Sequence, residues 1–271
     1  MNLTSPSQVK AWCIEHDFHP NKVLGQNFLI DRNALEAIVN AGLEGFENSE
    51  GLEVLEIGPG LGVLTEEMLR RGVKVTAVEK DPVLAGRLKK DLGDPDGLTV
   101  VAADALDWIN SPLPHPFSCM VSNLPYQAGT RILLDLVRQR QLPALTVLVQ
   151  SEVADRLAAG PGTKTRGLAG VWAQLDYDVK IVRKVSASCF WPRPEIGSTV
   201  VRLVRHDRNA TFSGDERKVF YRLTKQAFEH RRKQLGSIFK DLIQSTARAE
   251  TLSNEDWLAL VRELVNVNAK I

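Results

Sequence analysis

Short apolar runs alternate with amphipathic segments through the first half of the chain, and turn residues follow each apolar run. Continuous apolar runs, as opposed to alternating ones, are typical of parallel strands that helices cover on both faces. The pattern therefore predicts an α/β fold built on a parallel sheet. The predicted strands are residues 52–57, 73–78, 98–102, 119–122 and 145–149.

Helical periodicity occupies the intervals between these strands, with predicted helices at 6–15, 32–41, 62–71, 82–92 and 130–140. Two later apolar runs, at 177–182 and 198–203, predict antiparallel strands at the edge of the sheet. Beyond them only helical patterns remain, and the composition changes near residue 205. We therefore expect a first domain of residues 1–205 and a small helical domain of residues 206–271. The predicted helices of that domain are 215–231, 234–246 and 254–266.

Composition narrows the class of protein without identifying its chemistry. Apolar content of 44%, charged content of 25% and a net charge of +1 are ordinary for a globular protein. The three cysteines are far apart and have no metal-ligand spacing, so we expect free thiols and no metal site. The first residues lack a secretory signal pattern, and no apolar run is long enough to span a membrane. We expect a cytoplasmic monomer.

The turn after the first predicted strand has features of a cofactor site. Glycines at 58, 60 and 62 let the backbone approach a ligand closely, whereas a dinucleotide turn would need its third glycine at 63. Glu79 ends the second strand, where its carboxylate can accept from both ribose hydroxyls. Asp104 and Ala105 end the third strand, where an acid can accept from an adenine amino group. These acids suit a sulfonium better than a pyrophosphate, so we expect S-adenosylmethionine, with Gly58, Gly60, Glu79, Asp104 and Ala105 as contacts.

The fourth strand ends in Asn123-Leu124-Pro125-Tyr126, which offers acceptors beside an aromatic face. The nitrogen of an adenine amino group is a poor nucleophile because its lone pair is delocalised into the ring. The Asn123 side-chain oxygen and the Leu124 carbonyl can accept from that amino group, and Pro125 keeps both acceptors rigid. Tyr126 can stack on the base. We therefore predict a methyl-transfer site for an amino-bearing planar ring, with Asn123 also near the cofactor.

These motifs, in this order, resemble the ribosomal RNA small-subunit adenine dimethyltransferase family, the KsgA/RsmA group. The resemblance covers nearly the whole chain and extends through residues 22–29, 150–157, 190–194 and 198–203. It implies a Rossmann-like class I methyltransferase sheet of seven mostly parallel strands. It also implies N6,N6-dimethylation of two adjacent adenines near the 3′ end of 16S rRNA in the 30S subunit or its precursor, with a role in 30S biogenesis.

The resemblance also assigns residues that spacing alone does not. It implies that residues 26–29 close over the cofactor, so that Asn27 and Leu29 join the cofactor contacts. It places Phe190 against the target base, opposite Tyr126. Two segments depart from the usual family pattern: Gln127-Ala128-Gly129-Thr130 after the tyrosine, and the weakly basic stretch 19–22 before Gly25. These departures affect substrate handling more than reaction type.

Positive charge is concentrated late in the chain. Residues 202–240 contain eleven Lys or Arg and four acids, a local balance of +7 in a chain of net charge +1. Next to an adenine site this favours phosphate contacts, although Arg231, Arg232 and Lys233 also suit the dipole at a helix C-terminus. The predicted RNA-binding residues are Lys22, Arg217, Arg222, Arg231, Arg232 and Lys233.

Three other functions are compatible with parts of this pattern. A family member could methylate large-subunit rRNA, although the 190–194 stretch and the C-terminal helices look more like the small-subunit enzymes. A second alternative is a non-catalytic assembly or transcription factor, which the presence of Glu79, Asp104 and Asn123 disfavours. A small-molecule methyltransferase would have no use for the basic region.

Overall fold

The computed structural model describes residues 1–46, 48–111 and 113–268, with the backbone alone for Lys22, Asp241 and residues 266–268. Nine strands are described: β1 Phe28–Leu29, β2 Glu53–Ile57, β3 Lys74–Glu79, β4 Leu98–Ala102, β5 Cys119–Asn123, β6 Ala144–Gln150, β7 Tyr177–Val185, β8 Phe190–Trp191 and β9 Ser198–Arg205. The described α-helices are α1 Pro6–Glu15, α2 Arg32–Leu43, α3 Val63–Arg70, α4 Pro82–Asp91, α5 Ala105–Trp108, α6 Gly129–Gln139, α7 Ser151–Ala158, α8 Leu168–Asp176, α9 Gly214–Glu229, α10 Leu235–Phe239 and α11 Asn254–Asn268.

Seven strands form one mixed sheet in the order β4-β3-β2-β5-β6-β9-β7, and β1 pairs with β8 in a separate two-stranded sheet. The pairs from β4 through β6 are all parallel, so the predicted α/β fold with a mostly parallel sheet is confirmed. Apolar residues of these strands are buried because helices cover the sheet, as the continuous apolar runs predicted. Of the helices in the described part of the chain, none is long and apolar enough to cross a membrane.

The position of β9 differs from the prediction. The run at 198–203 was expected at the edge, but β9 lies between β6 and β7 and pairs antiparallel with β6 over seven residue pairs. Its burial explains this place, because Val200, Val201 and Leu203 are fully buried. Val200 and Val201 are consecutive and point to opposite faces, so both faces of β9 are covered, whereas most of β7 is exposed and suits the edge.

The chain divides into two compact units. One comprises Met1–Ala154 and Lys180–Arg205, and the other comprises Asp155–Val179 and His206–Ile271. The predicted division at residue 205 coincides with one of these boundaries, but the segment 155–179 groups with the C-terminal helices. Buried Arg166 supplies a physical reason, because its guanidinium donates to the Ala159 carbonyl and to the Asn254 side chain at the start of α11.

The second unit has its own core around Trp257 and Phe220, both fully buried. The helix expected over 234–246 is wrong in its second half, since α10 ends at Phe239 and Lys240 has a φ of 26°. Afterwards the chain turns back, and the Gly236 amide donates to the Ser245 carbonyl at 2.9 Å. A Cβ at Gly236 would lie 2.9 Å from that carbonyl oxygen, so glycine permits the close approach.

Candidate active site

The carboxyl ends of β2, β3, β4 and β5 surround a cavity of about 330 Å³ in the first unit. Parallel neighbours end at the same edge of the sheet, so the residues that follow these strands come together although they are far apart in sequence. The lining includes most of the predicted site: Asn27, Leu29, Gly58, Gly60, Glu79, Asp104, Ala105 and Asn123 to Tyr126.

The glycine turn after β2 packs tightly against two other parts of the site. Gly58 and Gly60 have φ values of 68° and 59°, which side chains rarely adopt. A Cβ at Gly58 would lie 3.4 Å from the Pro125 ring, and one at Gly60 would lie 3.1 Å from the Phe28 ring. The left-handed backbone therefore favours glycine at both positions, and at Gly60 the close approach of the Phe28 ring adds a second reason.

Glu79 is buried at the end of β3 and holds the turn in place. One carboxylate oxygen accepts from the Gly60 amide at 3.1 Å, and the other accepts from the Asp81 amide at 2.9 Å. Burial raises the pKa of Glu79, and these backbone hydrogen bonds act in the opposite direction. The carboxylate lies on the cavity wall. The ribose contact of Glu79 stays a prediction, and this geometry is compatible with it.

The Asp104 carboxylate interacts with both a helix N-terminus and Lys80, a lysine that was not among the predicted site residues. One oxygen caps α5 through the Leu106 amide at 2.9 Å, and the other pairs with Lys80 Nζ at 2.7 Å. The hydrogen bond from Lys80 is the main cause that lowers the pKa of Asp104. Lys80 also lines the cavity. Its position directly after Glu79 was the one signal in the sequence, but a lysine beside a strand end normally indicates a solvated residue.

Asn123 presents an acceptor that lacks a partner. Its Nδ2 donates to the Asn27 carbonyl at 3.2 Å, which fixes the orientation of the amide because a carbonyl can only accept. Its Oδ1 is buried and has no hydrogen-bond partner among the described residues. Leaving a buried acceptor unpaired costs about 1–3 kcal/mol, so such groups are uncommon unless a ligand uses them. The amide therefore offers its oxygen to whatever occupies the cavity.

The three residues after Asn123 are held from several sides. The Leu124 amide donates to the Leu148 carbonyl, and the Pro125 carbonyl accepts from the Gly129 amide at 2.7 Å. The Tyr126 hydroxyl lies 2.6 Å from the Ser198 hydroxyl, and burial raises the pKa of the phenol. Ser198 was missed as a site residue because it begins a strand distant in sequence. The result is a rigid tyrosine ring on the cavity wall.

Phe190, which the resemblance places against the target base, is buried in the main core. Its side chain is 2% exposed and belongs to the main core, and its backbone pairs with Leu29 across the β1–β8 sheet. Phe190 is absent from the cavity lining, which does contain Tyr126. Its apolar packing supports β1, and the contact between Phe190 and a target base stays a prediction.

The predicted RNA-binding residues fall into different environments. Arg222, Arg232 and Lys233 are exposed. The Arg217 guanidinium is instead used inside the second unit, where it forms an ion pair with buried Asp176 at 2.6 Å. Arg231 donates to the Lys164 carbonyl at 2.7 Å and keeps part of its surface exposed. The side chain of Lys22 lies outside the described residues.

Glu56, at the end of β2, is a buried acid that also lines the cavity. Its side chain is 1% exposed and accepts from the Thr65 hydroxyl at 2.6 Å. Burial is the main cause that raises its pKa to about 8, and the nearby Glu79 raises it further. Glu56 therefore keeps its proton at neutral pH in the folded protein, which limits the negative charge of the cavity.

Glu56 makes stability depend on pH in a defined direction. A group whose pKa is higher in the folded than in the unfolded state contributes stability that falls as pH rises toward the folded value, here about 8. As the pH rises from 6 to 8, we expect the titration of this carboxyl to reduce the free energy of unfolding by up to about 2 kcal/mol. Gln at this position still accepts from Thr65 but does not titrate.

Urea unfolding followed by circular dichroism at several pH values measures this effect. Glu56→Gln should reduce the fall in unfolding free energy over that range, whereas Glu66→Gln, an exposed acid on α3, should leave it unchanged. The same pH dependence in the parent and in Glu56→Gln would contradict the raised pKa.

Comparison with known proteins identifies the family to which this chain belongs. The family model described as "Ribosomal RNA adenine dimethylase" matches residues 17–268. A protein of Alkaliphilus oremlandii named "Ribosomal RNA small subunit methyltransferase A" is 35% identical, with 97% of this chain and 98% of that protein covered. A protein of the same name from Deinococcus radiodurans is 44% identical over 74% of this chain and 67% of its own length.

Two solved structures share the fold. A dimethyladenosine transferase from Plasmodium falciparum has a TM-score of 0.73 at 24% identity, with 89% of this chain and 98% of that chain covered. The 23S rRNA methyltransferase ErmE has a TM-score of 0.67 at 25% identity, with 88% of this chain and all of that chain covered. With a cavity at the carboxyl ends of a mostly parallel sheet and a family match over nearly all of its length, this chain belongs to the ribosomal RNA adenine dimethylase family of methyltransferases.

Proposed function

We propose that this protein transfers methyl groups from S-adenosylmethionine to the N6 atoms of two adjacent adenines near the 3′ end of 16S rRNA. Its substrate is the 30S subunit or a precursor of it, which places the protein in 30S biogenesis in the cytoplasm. The unpaired, buried Oδ1 of Asn123 carries this proposal, because an adenine amino group supplies the donor that this oxygen lacks.

The residues present fit S-adenosylmethionine. The left-handed glycine turn leaves the backbone free of side chains at the cavity, and the Glu79 carboxylate lies beside it on the cavity wall, where it suits the ribose hydroxyls. Asp104 and Ala105 lie at the end of β4, where they suit an adenine ring. When bound, the cofactor supplies an electrophilic methyl group on a positively charged sulfur. The acids of the cavity favour that charge, and among the described residues no cluster suited to hold a metal ion is found.

The residues after β5 activate the target amine. Asn123 Oδ1 and the Leu124 carbonyl accept the two amino hydrogens, which draws the adenine nitrogen toward tetrahedral geometry and frees its lone pair. Neither acceptor has to reorganise, because the Asn27 carbonyl holds the Asn123 amide and the Pro125 ring restrains the backbone. Tyr126 supplies a face on which the base stacks, and Ser198 holds its hydroxyl end. The N6 proton becomes acidic as the carbon–nitrogen bond forms, so water can accept it.

A second candidate substrate is large-subunit rRNA, which the similarity to ErmE favours. Methyl transfer from tritiated S-adenosylmethionine to undermethylated 30S particles and to 50S particles, followed by nucleoside analysis, separates the two. We expect N6,N6-dimethyladenosine in the 30S particles alone. Labelling of 50S particles alone would establish the second candidate, and binding to 30S particles without labelling would indicate a non-catalytic assembly factor.

Replacement of Asn123 tests the activation of the amine. We expect Asn123→Ala to lower kcat by at least about a hundredfold, the scale of losing one preorganised hydrogen-bond partner of the transition state. Affinity for S-adenosylmethionine should fall by much less, because Asn123 contributes mainly to the target end of the cavity. Calorimetry and single-turnover methylation measure the two effects. Methylation within a few-fold of the parent would exclude the proposed role of Asn123.

The exposed basic residues after α9 test the choice of substrate class. We expect the double variant Arg232→Gln, Lys233→Gln to bind 30S particles more weakly. The salt dependence of binding should flatten by a slope of roughly 0.7–0.9 for each phosphate that the protein no longer neutralises. Lys218→Gln is the matched control, because Lys218 is exposed on α9 but pairs with Asp215. A lowered melting temperature with the salt slope intact would instead indicate an interaction with the helix dipole.

A further inference from the structure

The side chain of Gln26 fastens the loop of residues 21–27, which lies at the cavity, to the start of α4. Its Nε2 donates to Asp81 Oδ2 at 2.9 Å, and its Oε1 accepts from the Asn21 amide at 2.7 Å. One end of the side chain thus bonds to its own loop and the other end to a different element. A side-chain amide offers a donor and an acceptor at once, which lets Gln26 join the two elements.

Asp81 connects this fastening point to the cofactor end of the site. Its Oδ1 caps α4 by accepting from the Val83 amide at 2.9 Å, which leaves Oδ2 for Gln26. Its own amide donates to Glu79 at 2.9 Å, and Glu79 in turn accepts from Gly60 in the glycine turn. Asp81 is 8% exposed, so this chain of hydrogen bonds is shielded from water and is correspondingly costly to break.

The same loop contacts the target end of the site on either side of Gln26. The carbonyl of Asn27, the next residue, accepts from Asn123 Nδ2 at 3.2 Å. Gly25, the preceding residue, has a φ of 67°, and a Cβ there would lie 3.0 Å from the Tyr126 amide nitrogen. Any displacement of Gln26 therefore moves the carbonyl that orients Asn123.

We propose that Gln26 is a positioning residue that couples the ribose-binding end of the cavity to the orientation of the catalytic Asn123 amide. The proposal rests on the function proposed above and deepens it. While Gln26 bonds to Asp81, the Asn27 carbonyl stays in place and the Asn123 oxygen remains available to the target amine. Without that bond the loop no longer holds the amide, and both cofactor affinity and turnover fall.

An exchange of charge between the two partners tests this coupling. Gln26→Glu places a carboxylate against the Asp81 carboxylate, and Asp81→Asn places two amide NH2 groups against each other while its oxygen caps α4. We expect each single variant to bind S-adenosylmethionine roughly tenfold to a hundredfold more weakly, the range for losing a hydrogen bond to a charged group. The kcat at saturating cofactor and 30S particles should fall roughly tenfold in each as the amide of Asn123 loses its orientation.

The double variant carries both substitutions and re-forms the bond with its donor and acceptor reversed. The new amide at position 81 donates to the new carboxylate at position 26, which still accepts from the Asn21 amide. Cofactor affinity and kcat should return to within about threefold of the parent, as expected for residues coupled through one contact. Gln141→Glu, an exposed glutamine outside the cavity lining, adds the same charge and should change neither quantity.

Calorimetry with S-adenosylmethionine in the absence of RNA separates this inference from the proposed function. Recovery of cofactor affinity in the double variant, with no methylation of 30S particles by the parent, would overturn the proposed function and leave the fastening role of Gln26 intact. Single variants equal to an active parent would overturn the role of Gln26 alone. A double variant no better than the weaker single variant would also overturn it, since the losses would then not come from the contact between the side chains at positions 26 and 81. Melting temperatures of all variants identify any loss that comes from unfolding.

Discussion

The hydrogen bond from Asn123 Nδ2 to the Asn27 carbonyl is the constraint on which the active site depends. A side-chain amide has two chemically different ends, and the carbonyl partner determines which end faces the cavity. The oxygen that results is buried and unpaired, a state that costs free energy until a donor arrives. A ligand with an N–H group recovers that free energy by donating to the oxygen. The orientation of this one amide therefore favours an amine substrate, independently of other contacts.

The electrostatics of the cavity depend on the acidic residues that the sheet brings together at the carboxyl ends of adjacent strands. Glu56 and Glu79 lie at the carboxyl ends of the neighbouring strands β2 and β3, and both are buried. Two ionised carboxylates in this position would repel each other with little screening, and the raised pKa of Glu56 removes one of the charges at neutral pH. Lys80 balances Asp104 at the next strand end. Arg131 also lines the cavity, so with Glu56 protonated the lining carries two acids, Glu79 and Asp104, and two bases, Lys80 and Arg131. The cavity is therefore close to neutral overall, and Glu79 is the acid that suits a cofactor with one positive sulfur.

The sequence predicted the features that depend on a single segment of the chain. It did not predict the features that depend on contacts between two segments distant in sequence. The strands and the residues at their ends followed from apolar runs and turn residues, and the structure places them around one cavity. Phe190 was assigned by resemblance, and the sequence around it did not indicate that it pairs with β1 and packs in the core. The contacts of Lys80 and Gln26 were not predicted because their partners, Asp104 and Asp81, are 24 and 55 positions away and no local pattern marks the contact. The interior position of β9 likewise depends on its pairing with β6.

The basic region shows why a count of charges overstates a nucleic-acid surface. Of the arginines in the stretch with a local balance of +7, Arg217 neutralises buried Asp176, and Arg208 pairs with Asp178. Arg217 has little left for a phosphate, because rebonding would leave the buried Asp176 carboxylate unpaired. Arg208 and Asp178 are both exposed, so their ion pair restrains that arginine much less. Arg231 is intermediate, since it holds the backbone of the loop that carries Lys164. The charge free to contact RNA is therefore smaller and more localised than the sequence suggests, so binding must rely on shape and on the adenine site as well as on phosphate contacts.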